Sequence, residues 1–221
     1  GSAAKGLDLP ELLDANVSNQ PSPADEAPVR ALDKAGGTVD VPATEDGPLL
    51  VRVFKTTADP FVGRLTYLRV LSGTLRSQGH VWNTTRDEDE RIGQLLLLHG
   101  KEQEAIGELK AGEIGAVAKL ASVATGDTLC DKANAIVYPK VEYPEAAIAF
   151  AIEPKSRADE EKISVALHKI LEEDPSLHFD RDAQTKEFIL SGSGQLHIET
   201  VVAKLANRYH VEVALHPPKV P

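Results

Sequence analysis

A short turn that contains two glycines offers the clearest candidate chemistry in the sequence. Gly192 and Gly194 stand directly before a segment whose apolar residues recur at helical spacing, and His197 follows within its first turn. The first N–H groups of a helix have no partner inside the helix, so such a turn favours an anion. The dinucleotide-binding signature requires a third glycine where His197 stands, so that signature is excluded. Two interpretations remain open, an anion contact and a simple turn of the chain into the helix.

Motifs for nucleotide, metal and nucleophile chemistry are missing from the sequence. No Gly-x-x-x-x-Gly-Lys-Ser/Thr loop is present, and Gly100-Lys101 is followed by Glu102, whose carboxylate would repel a phosphate. None of the seven histidines stands at metal-ligand spacing from another histidine or from Cys130, the single cysteine. The composition permits a Ser–His–Asp triad, but no Gly-x-Ser-x-Gly elbow occurs. The sequence predicts no catalytic residue, no metal and no cofactor in this chain.

The charge of the chain is strongly negative and unevenly distributed. A formal net charge of −10 at pH 7 argues against free, nonspecific binding to nucleic acid, and we expect no DNA partner. The acidic residues are grouped in three runs, at 87–90, 159–161 and 172–174. Such runs are most often solvated surface, and we expect that here.

Several arginines are candidates for contacts to RNA. Arg64, Arg69 and Arg76 lie in one predicted strand and the turn beyond it, while Arg86 and Arg91 flank the first acidic run. Arginines on the loops of a barrel can hold a phosphate backbone without reading its sequence. We therefore predict RNA contacts at Arg64, Arg76, Arg86 and Arg91, with ordinary solvated surface as the alternative.

The composition limits the class and compartment of the protein. No apolar run approaches the roughly 20 residues that span a bilayer, so we expect no membrane partner. A single cysteine cannot form an internal disulfide, which fits a cytoplasmic setting. The chain contains no methionine and opens with Gly1-Ser2, which is typical of a cloning scar. We expect the natural chain to continue on both sides.

Residues 47–140 are predicted to form an all-β domain. Short segments rich in β-branched, aliphatic and aromatic residues alternate with glycine, proline and aspartate turn signals about every 8–12 residues, which favours a closed barrel. The predicted strands are 49–54, 63–71, 80–83, 91–98, 116–120 and 128–130.

Residues 141–221 are predicted to form an α+β domain of the ferredoxin-like βαββαβ type. A strand at 146–152 precedes a helix that opens with a capping-box pattern at Ser156 and Asp159 and ends before Pro175. A hairpin, a second helix and a last strand follow. The two helices carry apolar stripes at Ile163, Leu167, Ile170 and Leu171, and at Ile198, Val201, Val202, Leu205 and Tyr209.

Residues 1–46 differ in composition from the rest. Leu7, Leu9, Leu12 and Leu13 could line one face of a short helix, after which prolines and glycines interrupt regular structure. We predict a linker that is too short and broken to bury a core of its own.

Several short segments occur in an order that matches a known family. They are ADPFVGRLTY at 58–67, RVLSGTL at 69–75, TGDTLC at 125–130, IEPKS at 152–156, EDPSL at 173–177 and GSGQLHIE at 192–199. Over residues 47–221 the chain resembles elongation factor G, a translational GTPase. The first three segments are similar to the barrel, domain II, and the others to domain III. Residues 5–46 resemble the end of the GTPase domain and its connection to the barrel.

The resemblance implies a fragment of a ribosomal translocase. In this family a separate domain binds GTP and Mg²⁺, and its GTP hydrolysis supports movement of tRNA and mRNA. The implied partners are the ribosome, through small-subunit RNA and the subunit interface, and the parent's own GTPase and C-terminal domains. This fragment should not hydrolyse GTP, because it lacks the GTP-binding motifs.

The resemblance also suggests particular residues at an interdomain junction. The fusidane antibiotic site of the family lies where the GTPase domain, the barrel and the third domain meet. Carried over residue by residue, Glu153, Pro154, Lys155, Ser156 and His197 would lie near that junction.

Two positions depart from the family pattern. Residue 193 is Ser where translocases commonly carry Met or a residue of similar bulk, and residue 195 is Gln where they commonly carry Glu. The alternatives are therefore a divergent paralogue or ribosome-protection factor with the same domains, and a ribosome-binding module without a GTPase.

Overall fold

A computed structural model describes residues 1–59, 63–100 and 102–219. Part of the family-like segment at 58–67, residues 60–62, lies outside these ranges. Two units can be distinguished. The barrel unit comprises Gly1–Phe54, Tyr67–Val123 and Asp127–Pro139, and the α/β unit comprises Lys55–Thr66, Ala124–Gly126 and Lys140–Pro221. The domain limits inferred from the sequence stay a prediction.

The barrel unit is built from one large antiparallel sheet and two small ones. Its strands and helix are α1 (Leu9–Asn19), β1 (Val29–Asp33), β2 (Thr38–Val41), β3 (Leu50–Asp59), β4 (Gly63–Ser72), β5 (Thr74–Arg76), β6 (His80–Asn83), β7 (Glu88–Arg91), β8 (Leu95–His99), β9 (Glu102–Ile106), β10 (Glu108–Lys110), β11 (Ile114–Ala118), β12 (Thr128–Cys130) and β13 (Ile136–Val137). Short 3₁₀ turns lie at Ala3–Lys5 and Lys132–Asn134. Eight strands pair in the order β7-β6-β12-β3-β4-β11-β8-β9, while β5 pairs with β10 and β1 pairs with β2 and β13. The end of β3 after Phe54 and the start of β4 before Tyr67 belong to the segment assigned to the α/β unit.

Period-two alternation places the apolar side chains of the large sheet inside. On β3, Val51 and Val53 are fully buried, whereas Arg52 and Phe54 between and beyond them face outward. On β4, Leu68 and Val70 are buried on either side of the exposed Arg69. The inward residues form one continuous core with those of the neighbouring strands, which confirms the predicted barrel class.

The glycine between β4 and β5 is required by the geometry. Gly73 has a φ of 75°, and a Cβ atom there would lie 2.8 Å from the Cα atom of Leu49. A residue with a side chain would therefore clash with the backbone at this turn.

The segment before the barrel is more ordered than the sequence predicts. Strands β1 and β2 form a hairpin, and Ala31 and Val41 are almost completely buried in a small second core. The Asp33 carboxylate holds the turn by accepting hydrogen bonds from the N–H groups of Ala35 and Gly37, each at 2.8 Å. This core is shared with Leu50, Cys130 and Ile136, so the hairpin contributes to a core together with later segments and does not form one of its own. Helix α1 has no buried residue.

The α/β unit has the predicted ferredoxin-like order. Its elements are β14 (Ile148–Pro154), α2 (Arg157–Glu173), β15 (His178–Arg181), β16 (Phe188–Gly192), α3 (Gln195–Tyr209) and β17 (Val213–His216). The four strands form an antiparallel sheet in the order β15-β16-β14-β17, and the helices pack on it. The predicted apolar stripes supply the core of this unit, with Ile163, Leu167, Ile170, Ile198 and Leu205 fully buried.

Helix α2 begins as its sequence predicts. The Ser156 hydroxyl oxygen accepts a hydrogen bond from the Asp159 N–H group at 3.2 Å, and the hydroxyl donates to the Asp159 carboxylate at 2.7 Å. This exchange stabilises the first turn of the helix.

Two of the three acidic runs are not simply solvated surface, contrary to the prediction. Residues 88–91 form strand β7, and Glu90 is only 5% exposed. Its carboxylate accepts hydrogen bonds from the N–H groups of Ala121 at 2.7 Å and Ser122 at 3.3 Å. The run at 172–174 is also engaged in specific contacts, described below.

Candidate functional site

The turn of Gly192, Ser193 and Gly194 joins the end of β16 to the start of α3. A Cβ atom at Gly192 would lie 3.0 Å from Nδ1 of His197 and 3.1 Å from Cδ1 of Ile198. Those distances are tighter than ordinary contacts, so glycine allows the first turn of α3 to pack against the end of the strand. The structure thus gives Gly192 a packing role, and the anion contact at this turn stays a prediction.

His197 links this turn to the end of helix α2. Its Nδ1 atom accepts a hydrogen bond from the Ser193 N–H group at 3.2 Å and lies 3.0 Å from the Ser193 hydroxyl. Its Nε2 atom lies 2.9 Å from Oδ2 of Asp174. Because a backbone N–H group can only donate, Nδ1 is an acceptor, and Nε2 therefore carries the proton that is donated to Asp174.

Asp174 is the second half of this link. Its Oδ1 atom accepts hydrogen bonds from the Ser176 N–H group at 3.0 Å and from the Ser176 hydroxyl at 2.6 Å. Burial alone would raise the pKa of Asp174, but the hydrogen bonds from Ser176 and His197 outweigh it and hold the pKa below its ordinary value. Asp174 is therefore a charged acceptor that joins α3 to α2.

Ser193, His197 and Asp174 follow the order of a hydroxyl, an imidazole and a carboxylate found in serine hydrolases. A general base in such a system needs a free lone pair aimed at the hydroxyl. Here the single lone pair of Nδ1 is shared with the N–H group of Ser193 itself. The arrangement is suited to positioning the start of α3 rather than to activating a nucleophile.

Glu173, next to Asp174, is an anchor within the α/β unit. Its side chain is 11% exposed, and Oε1 accepts hydrogen bonds from the Ala58 N–H group and from Nη1 of Arg208, both at 2.8 Å. Nζ of Lys204 lies 3.8 Å from Oε2. The sequence carries no local signal for this role, because only the fold brings residue 58 and α3 to the end of α2.

The structure separates the two groups of residues that were predicted at an interdomain junction. Gly192 pairs with Ile148 at the start of β14, whereas Glu153 and Pro154 lie at the other end of that strand. Strand geometry puts about 20 Å between the two ends. Lys155 and Ser156 follow Pro154, and Nζ of Lys155 lies 3.1 Å from Oε2 of Glu212. His197 and the turn at 153–156 are therefore not one cluster, and their place at a junction stays a prediction.

Three of the four arginines predicted to contact RNA are paired with carboxylates. Nη1 of Arg76 lies 2.6 Å from Glu108, and Nε of Arg86 lies 2.7 Å from the buried Asp127. Nε of Arg64 lies 3.8 Å from Glu172. Arg91 is exposed on β7 and has no ion pair among the residues that the structure describes. The predicted RNA contacts remain untested, but pairing offsets the charge that three of them could offer a phosphate.

In residues 1–59, 63–100 and 102–219, no group of three or more His, Cys, Asp or Glu side chains could hold a metal ion. Among the helices of those same ranges, none combines the length and apolar character needed to cross a membrane.

Two models of protein families match successive parts of the chain. Residues 48–132 match the model described as elongation factor G domain 2, and residues 143–217 match the model described as elongation factor G, domain III. A protein of Fervidobacterium nodosum named elongation factor G is 43% identical over 220 residues, which cover 100% of this chain and 32% of that protein.

A solved structure gives a matching result. A crystal structure of a protein from Thermus thermophilus aligns with a TM-score of 0.81 and 31% identity, over 100% of this chain and 31% of that one. The chain thus spans about a third of the length of each of these relatives.

Proposed function

Because the chain belongs to the elongation factor G family, we propose that it forms the barrel and the third domain of a ribosomal translocation GTPase. The parent protein would use GTP hydrolysis to support movement of tRNA and mRNA during protein synthesis in the cytoplasm. The observation that carries the proposal is the ordered match of domain 2 at 48–132 and domain III at 143–217 within one chain.

GTP and Mg²⁺ would be held by another part of the parent. The residues of this chain do not fit the nucleotide, since neither a phosphate-binding loop nor an Asn-Lys-x-Asp segment occurs in its sequence. We expect the chain alone not to hydrolyse GTP.

The partners of the chain would be the ribosome and the remaining domains of the parent. Of the four candidate RNA contacts, Arg91 is the one whose guanidinium group is exposed and forms no ion pair with a carboxylate among the described residues. It could therefore bind a phosphate without first breaking an ion pair. Glu153, Pro154, Lys155, Ser156 and His197 would face the junction with the GTPase domain. The turn at 153–156 and His197 lie near opposite ends of β14, so they would contact different parts of the GTPase domain.

The bonds of His197 support a mechanical role for the third domain. His197 donates a charged hydrogen bond to Asp174 and accepts one from the Ser193 N–H group, and together these bonds couple the start of α3 to the end of α2. A force applied at the start of α3 would then be carried into the whole α/β unit, as expected of a domain that transmits nucleotide state.

The test uses the full-length parent and the 221-residue chain side by side. Ribosome-dependent GTP hydrolysis is measured together with the position of the mRNA by toeprinting. A translocase hydrolyses GTP and advances the mRNA by one codon, whereas a ribosome-protection factor or paralogue hydrolyses GTP without that advance. A parent that does neither overturns the proposal and leaves a ribosome-binding module without a GTPase. The chain alone is the control that should lack hydrolysis.

A further inference from the structure

A cavity of about 460 Å³ lies on the outer face of the barrel unit. It is bordered by outward residues of β3, β4 and β11, together with Tyr138 and the segment before β1. Its size falls in the range of about 300–1,000 Å³ that is usual for small-ligand sites. The residues that matter for its chemistry are Arg52, Phe54, Arg69, Ile114 and Tyr138.

Two arginines give the cavity an unbalanced positive charge. Among the described residues, neither Arg52 nor Arg69 forms an ion pair, although Arg64, Arg76 and Arg86 all do. Glu26 also borders the cavity without pairing with either arginine. In a chain of net charge −10, two unpaired guanidinium groups beside one cavity point to an anionic ligand.

One of these arginines is held in place before any ligand arrives. The guanidinium carbon of Arg52 lies 4.9 Å from the centre of the Tyr138 ring. This cation–π contact orients the charge without neutralising it, so less side-chain freedom is lost when an anion binds.

The rest of the cavity wall is apolar and partly exposed. Phe54 is 38% exposed and Ile114 is 50% exposed, and both border the space next to the arginines. The Phe54 ring is 6.3 Å from that of Tyr67 at an angle of 55°, which fixes its orientation. A ligand that fits must therefore combine a negative charge with a flat or apolar group.

We propose that this cavity binds one unstacked nucleotide of single-stranded RNA. Arg52 and Arg69 would hold the flanking phosphates, while the base would lie against Phe54 and Ile114, in the manner of aromatic and arginine-rich RNA sites. An acidic peptide would satisfy the arginines but would leave the apolar wall uncovered. The inference rests on the proposed function, because the ribosome is the source of the RNA.

The direct test is a titration of the isotope-labelled chain with a single-stranded RNA of about eight adenosines, followed by NMR. Binding should shift the Nε–H signals of Arg52 and Arg69 and the methyl signals of Ile114 in a saturable way. Arg52→Gln combined with Arg69→Gln should weaken the affinity at least about tenfold. Lys34→Gln combined with Arg157→Gln removes the same charge at exposed positions outside the cavity and should change the affinity far less.

Three results would overturn the inference: no shift of these signals, equal affinities for the two double variants, or tighter binding of a glutamate peptide than of the RNA. Phe54→Leu tests the contact with the base alone, since it keeps an apolar side chain at this outward position and should reduce the affinity about fivefold by loss of stacking. Cosedimentation of the chain with ribosomes is measured in parallel. If the chain cosediments with ribosomes but does not bind the RNA in the titration, the proposal for this cavity is wrong. The proposed function is then tested separately by the assay on the parent protein.

Discussion

The Nε2 atom of His197 lies 2.9 Å from Oδ2 of Asp174, and this one hydrogen bond ties the first turn of α3 to the C-cap residue of α2. Both side chains are partly buried, at 19% and 34% exposure. Since Asp174 also accepts two hydrogen bonds from Ser176, its carboxylate serves three donors. We expect the stability of the α/β unit to depend on this carboxylate.

Replacing Asp174 with alanine should destabilise the protein by about 1–3 kcal/mol, because three donors lose a charged acceptor. The measurement is urea unfolding, followed by a signal from the α/β unit. Asp180→Ala is the matched control, since Asp180 is an exposed aspartate of the same unit and should change stability by no more than about 0.5 kcal/mol. Equal losses in the two variants would show that the hydrogen bonds of Asp174 contribute nothing.

The same carboxylate should make stability depend on pH in a defined direction. Hydrogen bonds from Ser176 and His197 overcome the effect of burial and hold the pKa of Asp174 in the folded protein below its ordinary value of about 3.9. The unfolded chain then binds the proton more readily than the folded one, so the stabilisation is complete above the unfolded pKa. It is lost as the pH falls through the lower, folded pKa.

Comparison with Asp174→Asn isolates this effect from the other carboxylates. The difference in free energy of unfolding between the natural chain and the variant should shrink below about pH 4, compared with its value at about pH 5. A difference that does not change down to about pH 2 would mean that the charge of Asp174 is not what stabilises the fold.

The elements of the α/β unit could be predicted from the sequence, whereas the roles of its acidic residues could not. The apolar spacing of Ile163, Leu167 and Ile170 defines one face of α2, and the core is built on that face. A run such as Glu172-Glu173-Asp174 carries no such periodicity, because burial of a carboxylate depends on donors that arrive from distant segments. The pattern Asp174-Pro175-Ser176 is nevertheless a local signal for a side-chain-capped turn, and it could have identified Asp174.

In the barrel unit too, the sequence did not predict which acidic residue is buried or which short segments form strands. Glu90 lies inside an acidic run, and its burial follows from which face of β7 it occupies and from the N–H groups of Ala121 and Ser122. The hairpin of β1 and β2 was missed because each strand is short and its apolar residues are few. Such strands form only when a partner, here β13, supplies the rest of the core.

Glu90 should be among the most sensitive acidic positions of the barrel unit. Alanine there would leave two backbone N–H groups without their acceptor in a buried setting, with an expected cost of about 1–3 kcal/mol. The free energy of unfolding from urea titration is compared with that of Glu88→Ala, which removes an exposed glutamate from the same strand. We expect the Glu88 variant to lie within about 0.5 kcal/mol of the natural chain. A cost at residue 90 no larger than at residue 88 would contradict the anchoring role.

Glu173 binds the backbone of Ala58 and the side chain of Arg208 within the α/β unit. Glu173→Ala removes the acceptor of the Ala58 N–H group, so hydrogen exchange of that amide should accelerate about tenfold, the equivalent of one lost hydrogen bond. Glu173→Gln keeps an oxygen acceptor and should accelerate it less. Glu161→Ala, at an exposed position of the same helix, should leave the amide unchanged. If both Glu173 variants exchange at the natural rate, the Ala58 amide is protected by other parts of the structure, and Glu173 serves only to neutralise Arg208.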